Sequence, residues 1–263
     1  MALNTHIEQA RTRARAEQEA IDEMRDAYET FIRRVQKLKP DQTPSSVAGL
    51  TTVGGATYLS ADASSADDCQ PVRRAFAETI RPHSVADIDE TESLLETIRE
   101  EFTDAIAVAL APTTEASFTP DLKRMIIAET QSRQSEATAL QKALEGEEAH
   151  LDEAGSAVDD ITAWIVDANE TALTDLGFDA LQQRHETLAS HRDYCEGIAR
   201  DRQEFLQKAT NSGVDAGVRH RSLIPYLYQD FPVDHPVLAT VATLDETCQE
   251  CQRAVRSHLV RRV

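Results

Sequence analysis

Residues 2–39 read ALNTHIEQARTRARAEQEAIDEMRDAYETFIRRVQKLK, and this stretch decides the fold. With heptad position a at Ile7, Ala14, Ile21, Tyr28 and Val35, position d falls on Leu3, Ala10, Glu17, Met24, Phe31 and Leu38. Glu17 alone among them is polar, whereas the remaining positions are mostly Glu, Gln, Arg and Asp. A 3.5-residue repeat held this long predicts a coiled-coil seam rather than an ordinary surface helix. At 1.5 Å per residue the helix runs roughly 50 Å. Pro40 ends it, and Lys37 and Lys39 suit the carboxyl end of its dipole.

Outward from this helix the pattern breaks once and then resumes. Residues 40–70 are rich in Pro, Ser, Thr, Gly and Asp and carry no helical period. They read as an acidic loop in which Gly54-Gly55 could turn a short β-hairpin between Leu50–Val53 and Ala56–Leu59. Val72–Ile80 reads as a short helix stopped by Pro82, and 87–111 as one longer helix with Leu94, Leu95, Ile98, Phe102, Ile106 and Leu110 on its stripe. Thr119 caps the next helix, with Pro120 at its first position. There Ala137, Leu144, Leu151, Val158 and Ile165 hold one heptad position, and Leu140, Glu147, Ala154, Ile161 and Ala168 the other. A further helix spans Phe178 to about Ala209, and the last runs from Pro236 almost to the end.

The expectation is an all-α protein: an elongated helical bundle with long antiparallel coiled-coil helices, the first packing against one of the two later long ones. By composition it divides into the helix 1–39, the loop 40–70 and a bundle 71–263 that packs with the first helix as a single domain. Only 9 glycines and 9 prolines interrupt 263 residues, and aromatics make up 5%. Alanine-rich apolar faces of this kind suit closely packed helices.

Charge narrows the function classes. The net charge is −19, and of 27 basic residues only Lys37, Lys39, Lys123, Lys142 and Lys208 are lysine. Many carboxylates with little lysine match proteins of salt-saturated cytosols, where an acidic surface holds water and counter-ions. At molar salt the Debye length falls to about 3 Å and counter-ion release no longer drives phosphate binding. Nucleic-acid binding is thus disfavoured by charge sign and by medium. MALNTHIEQARTR lacks the apolar region of a secretory signal, and the longest apolar run, Ala105–Ala111, is too short to span a bilayer. A cytoplasmic protein with reduced cysteines is expected, and the Asn169-Glu170-Thr171 sequon reads as incidental.

Few motifs point to chemistry. Cys248-Gln249-Glu250-Cys251 could be half of a zinc site, with Cys195 and His191, or His258, as further ligands. Both cysteines, however, continue the stripe Val237, Val241, Leu244, Cys248, Cys251, Val255, where free Cys packs as a small hydrophobe. Glu147-Glu148-Ala149-His150 holds one E-x-x-H, whereas di-iron bundles need two. Glu17, Glu147, Arg133 and Arg202 interrupt apolar stripes, which predicts Glu–Arg pairing across helices. The clusters Arg11-Arg13-Arg15, Arg219-His220-Arg221 and Arg253, Arg256, Arg261, Arg262 read as balance for surrounding carboxylates rather than a phosphate surface. Asp234-His235 lacks a third catalytic member, and no phosphate loop, dinucleotide fingerprint or nucleophile elbow occurs.

RRAFAETI (73–80), FTPDLKRMI (118–126), ARDRQEFL (199–206) and PYLYQDFPVDHPVLA (225–239), with the arginine-rich start of the first helix, resemble a family of haloarchaeal helical, coiled-coil-containing proteins of unknown function. The resemblance implies a halophilic, cytoplasmic, helical protein and carries over no catalytic residues. Within PYLYQDFP, Tyr226, Tyr228 and Phe231 concentrate aromatics that are scarce elsewhere; they read as a packing plug at the bundle end or as a partner-docking patch. The sequence names no reaction and no cofactor. It favours a non-enzymatic interaction or scaffolding protein that binds a protein partner or itself through long helices, without membrane. A regulator acting on nucleic acid or transcription partners is the alternative, and a metal-binding protein comes third.

Overall fold

The computed structural model describes residues 5–41, 67–84, 93–114, 116–211 and 223–261. Among them the fold is all-α, with nine helices and no strand. They are α1 (Thr5–Lys37), α2 (Gln70–Thr79), α3 (Arg81–Ser84), α4 (Leu94–Glu101), α5 (Asp104–Ala109), α6 (Pro120–Asn169), α7 (Phe178–Asn211), α8 (Leu223–Tyr228) and α9 (Pro236–Val260). The hairpin expected around Gly54-Gly55 lies outside the described residues. Packing groups the chain into two compact units, Met1–Glu19 with Ala139–Val263, and Ala20–Thr138, so α1 and α6 each contribute to both.

The first unit is built on apolar stripes, those of α1, α6 and α9 as predicted. Ile7, Ala10 and Ala14 of α1 are buried, as are Leu144, Leu151, Val158 and Ile161 of α6, Leu181, Leu188 and Cys195 of α7, and Val241 and Leu244 of α9. Arg11 pairs with Asp152 at 2.6 Å and Arg15 with Glu148 at 2.6 Å, so α1 and α6 run antiparallel here. A Cβ on Gly155 would lie 3.5 Å from Ile7 and 2.7 Å from the Arg11 guanidinium. The missing side chain lets Arg11 cross α6 to reach Asp152. Helices α7 and α9 pack along each other. Arg192 meets Asp245 at 2.9 Å, and Gln252 donates to the carbonyl of His185 at 3.3 Å, so this pair is antiparallel too.

The second unit centres on aromatics. Phe31 of α1, Phe76 of α2 and Phe102 pack with ring centroids 5.5–6.0 Å apart. Val35, Val72, Ile80, Ile98, Ile106 and Ile126 surround them. Lys123 of α6 donates to the carbonyls of Gln36 and Leu38, both at 2.7 Å, and so satisfies groups the end of α1 leaves open.

One expectation is corrected in this unit. The single helix read over 87–111 is broken: α4 ends at Glu101 and α5 begins at Asp104, while 85–92 lie outside the described residues. Phe102 leaves helical geometry (φ −118°, ψ −115°), and the Thr103 hydroxyl caps α5 by accepting from the Ile106 N–H at 3.3 Å. Arg133 donates to the Phe102 carbonyl at 3.3 Å, and the Phe102 ring completes the aromatic trio. The short helix read over Val72–Ile80 is α2, which ends at Thr79; Pro82 sits second in the following α3, where its missing N–H costs little. The N–H groups of His83 and Ser84 both return to the Ile80 carbonyl.

Candidate functional site

The most concentrated polar chemistry lies inside the first unit. Glu147 occupies a seam position of α6, and its side chain is 0% exposed. Arg202 of α7, 3% exposed, grips it with both guanidinium nitrogens, at 2.7 Å each. The Tyr228 hydroxyl of α8 donates to the same carboxylate. Burial, then the adjacent Glu147 charge, pushes the Tyr228 phenol well above its ordinary range, so it stays a donor. Arg202 also stacks over Phe205 at 5.2 Å. Three helices thus meet on one carboxylate whose oxygens are engaged.

The predicted charge pairing across helices is realised here by Glu147 and Arg202. The other seam charges pair differently. Arg13 holds Glu17 within α1 at 3.4 Å, and Arg133 holds Glu129 and Glu136 within α6 at 3.6 and 3.1 Å. In the second unit Tyr28 donates to Glu101 at 2.8 Å, a partly buried partnership that side-chain spacing offers no means of finding. Desolvation raises the Glu101 carboxyl above its ordinary value.

Beside the Glu147–Arg202 pair, His150, Glu153, Tyr194, Asp201 and Arg202 line a small cavity. The His150 ring packs on Phe205, centroids 4.0 Å apart. Burial and then the Arg202 charge depress its pKa, which favours neutral imidazole. Glu147 faces Arg202 and Tyr228, so the E-x-x-H spacing does not bring its carboxylate and His150 into shared ligation.

The cysteine candidates fall in the core between α7 and α9. Cys195 and Cys248 are 1% and 0% exposed, and Cys251 is half-buried. Desolvation pushes the Cys195 thiol to about 11 and the Cys248 thiol to about 12. His191 packs edge-on to Trp164 at 4.9 Å. Among the described residues no group of three or more His, Cys, Asp or Glu is placed to hold a metal ion, so Cys195, Cys248, Cys251 and His191 do not assemble into a site.

The aromatics of 225–232 separate. Tyr228 is buried on Glu147 and so is not part of an exposed patch; Phe231 packs edge-on against it at 5.2 Å. Tyr226 is 40% exposed, with the Arg13 guanidinium 5.6 Å from its ring centre. Arg11, Arg13 and Arg15 all meet carboxylates of the same unit, as charge balance predicts. Arg253 bonds Gln249 at 2.7 Å, and Arg219-His220-Arg221 and Arg262 lie outside the described residues.

A groove of about 490 Å³ runs along α7 and α9. Its walls run from Ala189 to Gln203 on one helix and from Leu238 to Gln252 on the other, and sequence periodicity carries no sign of it. The Arg192–Asp245 pair bridges it. Ala199, Val241 and Ala242 provide small apolar contacts, while Asp193, Glu196 and Asp245 bring carboxylates to its lining.

These features define an all-α protein whose inner polar groups join helices and whose open concavity lies between two antiparallel helices. The chain belongs to the family described as domain of unknown function DUF7260, which it matches over residues 5–252. No curated protein and no solved structure shows a significant match to it. No described helix is long and apolar enough to cross a membrane.

Proposed function

We propose that the protein is a non-enzymatic interaction or scaffolding protein of a salt-adapted cytoplasm, binding a protein partner through helix faces of its first unit. The groove along α7 and α9 carries this reading: it offers small apolar side chains with a polar rim rather than a poised nucleophile or base. The buried ionisable groups nearby support it, since Glu147 and Arg202 engage each other and the thiols are held protonated. The excess of carboxylates over lysine supports the salt-rich medium.

A photo-crosslinking amino acid placed at groove residue Ala242, with exposed Ala163 of α6 as control, tests the proposal in a lysate of the source cells. A discrete protein adduct from position 242 and none from 163 is expected. Absence of any adduct from 242 contradicts the reading. Retention of the protein on DNA at low salt replaces it with nucleic-acid regulation.

A further inference from the structure

We infer that α4 is a proton-gated strap over the aromatic core of the second unit, latched to α1 through Glu101. The strap is an element of its own. It has 8 residues and ends where Phe102 leaves helical geometry (φ −118°, ψ −115°), so it can part from α5 without unwinding it. A helix this short is not stable alone in water, so its contacts hold it in place. Ile98 is fully buried in the core around Phe31 and Phe76, and Leu94 and Leu95 pack against that core half-buried. The inference concerns the second unit alone and stands whether or not the α7–α9 groove takes a partner.

The latch is a carboxyl without a counter-ion. Glu101, the last residue of α4, accepts from the Tyr28 hydroxyl of α1 at 2.8 Å and from the Ser84 hydroxyl of α3, and neither donor carries charge. Among the described residues no ion pair holds it. Arg133 of α6, the guanidinium that attracts it, is taken by Glu129 and Glu136 at 3.6 and 3.1 Å and by the Phe102 carbonyl. On the other neighbours, His83 of α3 faces Glu23 of α1, Arg74 of α2 holds Glu78, and Asp104 of α5 holds Arg99. Glu100, beside it on α4, adds a like charge. Residues 42–66, 85–92 and 115 contain no Lys, Arg or His that could supply a cation. Docked, the carboxyl is desolvated and favours its protonated form; released, it ionises in water. Docking is therefore firmest below the ordinary carboxyl value of 4.5 and weakens as pH climbs through the higher value of the docked state.

Amide exchange of the full chain, followed by NMR between about pH 4 and about pH 8 and corrected for intrinsic rates, tests the strap. The reporters are the N–H groups of Thr97 and Phe102, which bond the carbonyls of Ser93 and Ile98. The N–H groups of Arg73 and Ile80, bonded to Cys69 and Phe76, serve as reference for the rest of the unit. Relative to that reference, protection of α4 should fall by up to about tenfold per pH unit between the two carboxyl values, because each opening releases one proton. Glu101→Gln keeps an acceptor for both hydroxyls without a titrating proton and should make the ratio independent of pH. Tyr28→Phe removes a donor that favours the charged form, so the fall should extend to higher pH and become larger in total. A trend that survives Glu101→Gln, or one that α2 shares equally, overturns the proposal, as does α4 protection that rises with pH. Should Glu101→Gln fail to fold, Tyr28→Phe decides: a fall that ends at the same pH as in wild type overturns it.

Discussion

Arg11 crosses the α6 backbone at Gly155, where a Cβ would stand 2.7 Å from its guanidinium, and ends on Asp152 at 2.6 Å. A Cβ on Gly197, within α7, would meet nothing within 4 Å. The two glycines occupy similar helix interiors for different reasons, and alanine should distinguish them. Gly197→Ala is expected to stabilise by about 0.5–1 kcal/mol through helix propensity alone. Gly155→Ala gains the same and loses it again by displacing Arg11, leaving a change near zero. Urea unfolding of both variants gives the comparison; equal gains would mean the Arg11 crossing contributes nothing.

The break between α4 and α5 rests on a capped turn. Thr103→Ala removes the hydroxyl that accepts from Ile106 and should cost about 0.5–2 kcal/mol. Phe76→Ala, which empties one position of the aromatic trio, should cost about 3–5 kcal/mol. Thermal unfolding ranks the two; a Thr103→Ala protein more stable than wild type would show that an unbroken helix is preferred there.

Acid should weaken the protein before its carboxylates titrate. His150 and His191 both have pKa values lowered from 6.5, chiefly by desolvation. The unfolded chain then binds more protons than the folded one, and stability falls as pH drops from about 6.5 through the folded values. A His150→Gln/His191→Gln variant should show a shallower decline between pH 7 and pH 5 in denaturant titrations. An unchanged slope would assign the acid sensitivity to other groups.

Thiol accessibility reports the α7–α9 core. Cys195 and Cys248 are buried, with pKa values pushed up to about 11 and about 12, so neither should react with an aromatic disulfide reagent at pH 8 while the protein is folded. Their modification should follow unfolding, and Ala substitution of half-buried Cys251 should remove the fastest native phase. Immediate reaction of Cys195 or Cys248 in the native protein would contradict the packing described.

Much of this fold is legible in the sequence because heptad spacing is a local signal. Spacing alone puts Ile21, Phe31, Leu144, Leu151 and Leu244 on seams, and all are buried. The Phe102–Thr103 break escapes that reading because the apolar stripe stays in phase across it and a threonine cap does not interrupt the stripe. The site is less legible. Glu147 and Arg202 stand out as charges on apolar stripes, but Tyr228 joins them from 81 residues beyond Glu147, a separation no periodicity records. The groove depends on how α7 and α9 lie side by side, which side-chain pattern within either helix does not encode.

That the buried charges of the first unit hold helices in register is best judged by a double-mutant cycle on Glu147 and Arg202, read by urea unfolding. Glu147→Met and Arg202→Met are each expected to cost about 3–5 kcal/mol, because each strands a buried charge. The double variant should cost far less than their sum, giving a coupling of several kcal/mol. Additive losses, or single variants as stable as wild type, would contradict a structural role for the pair.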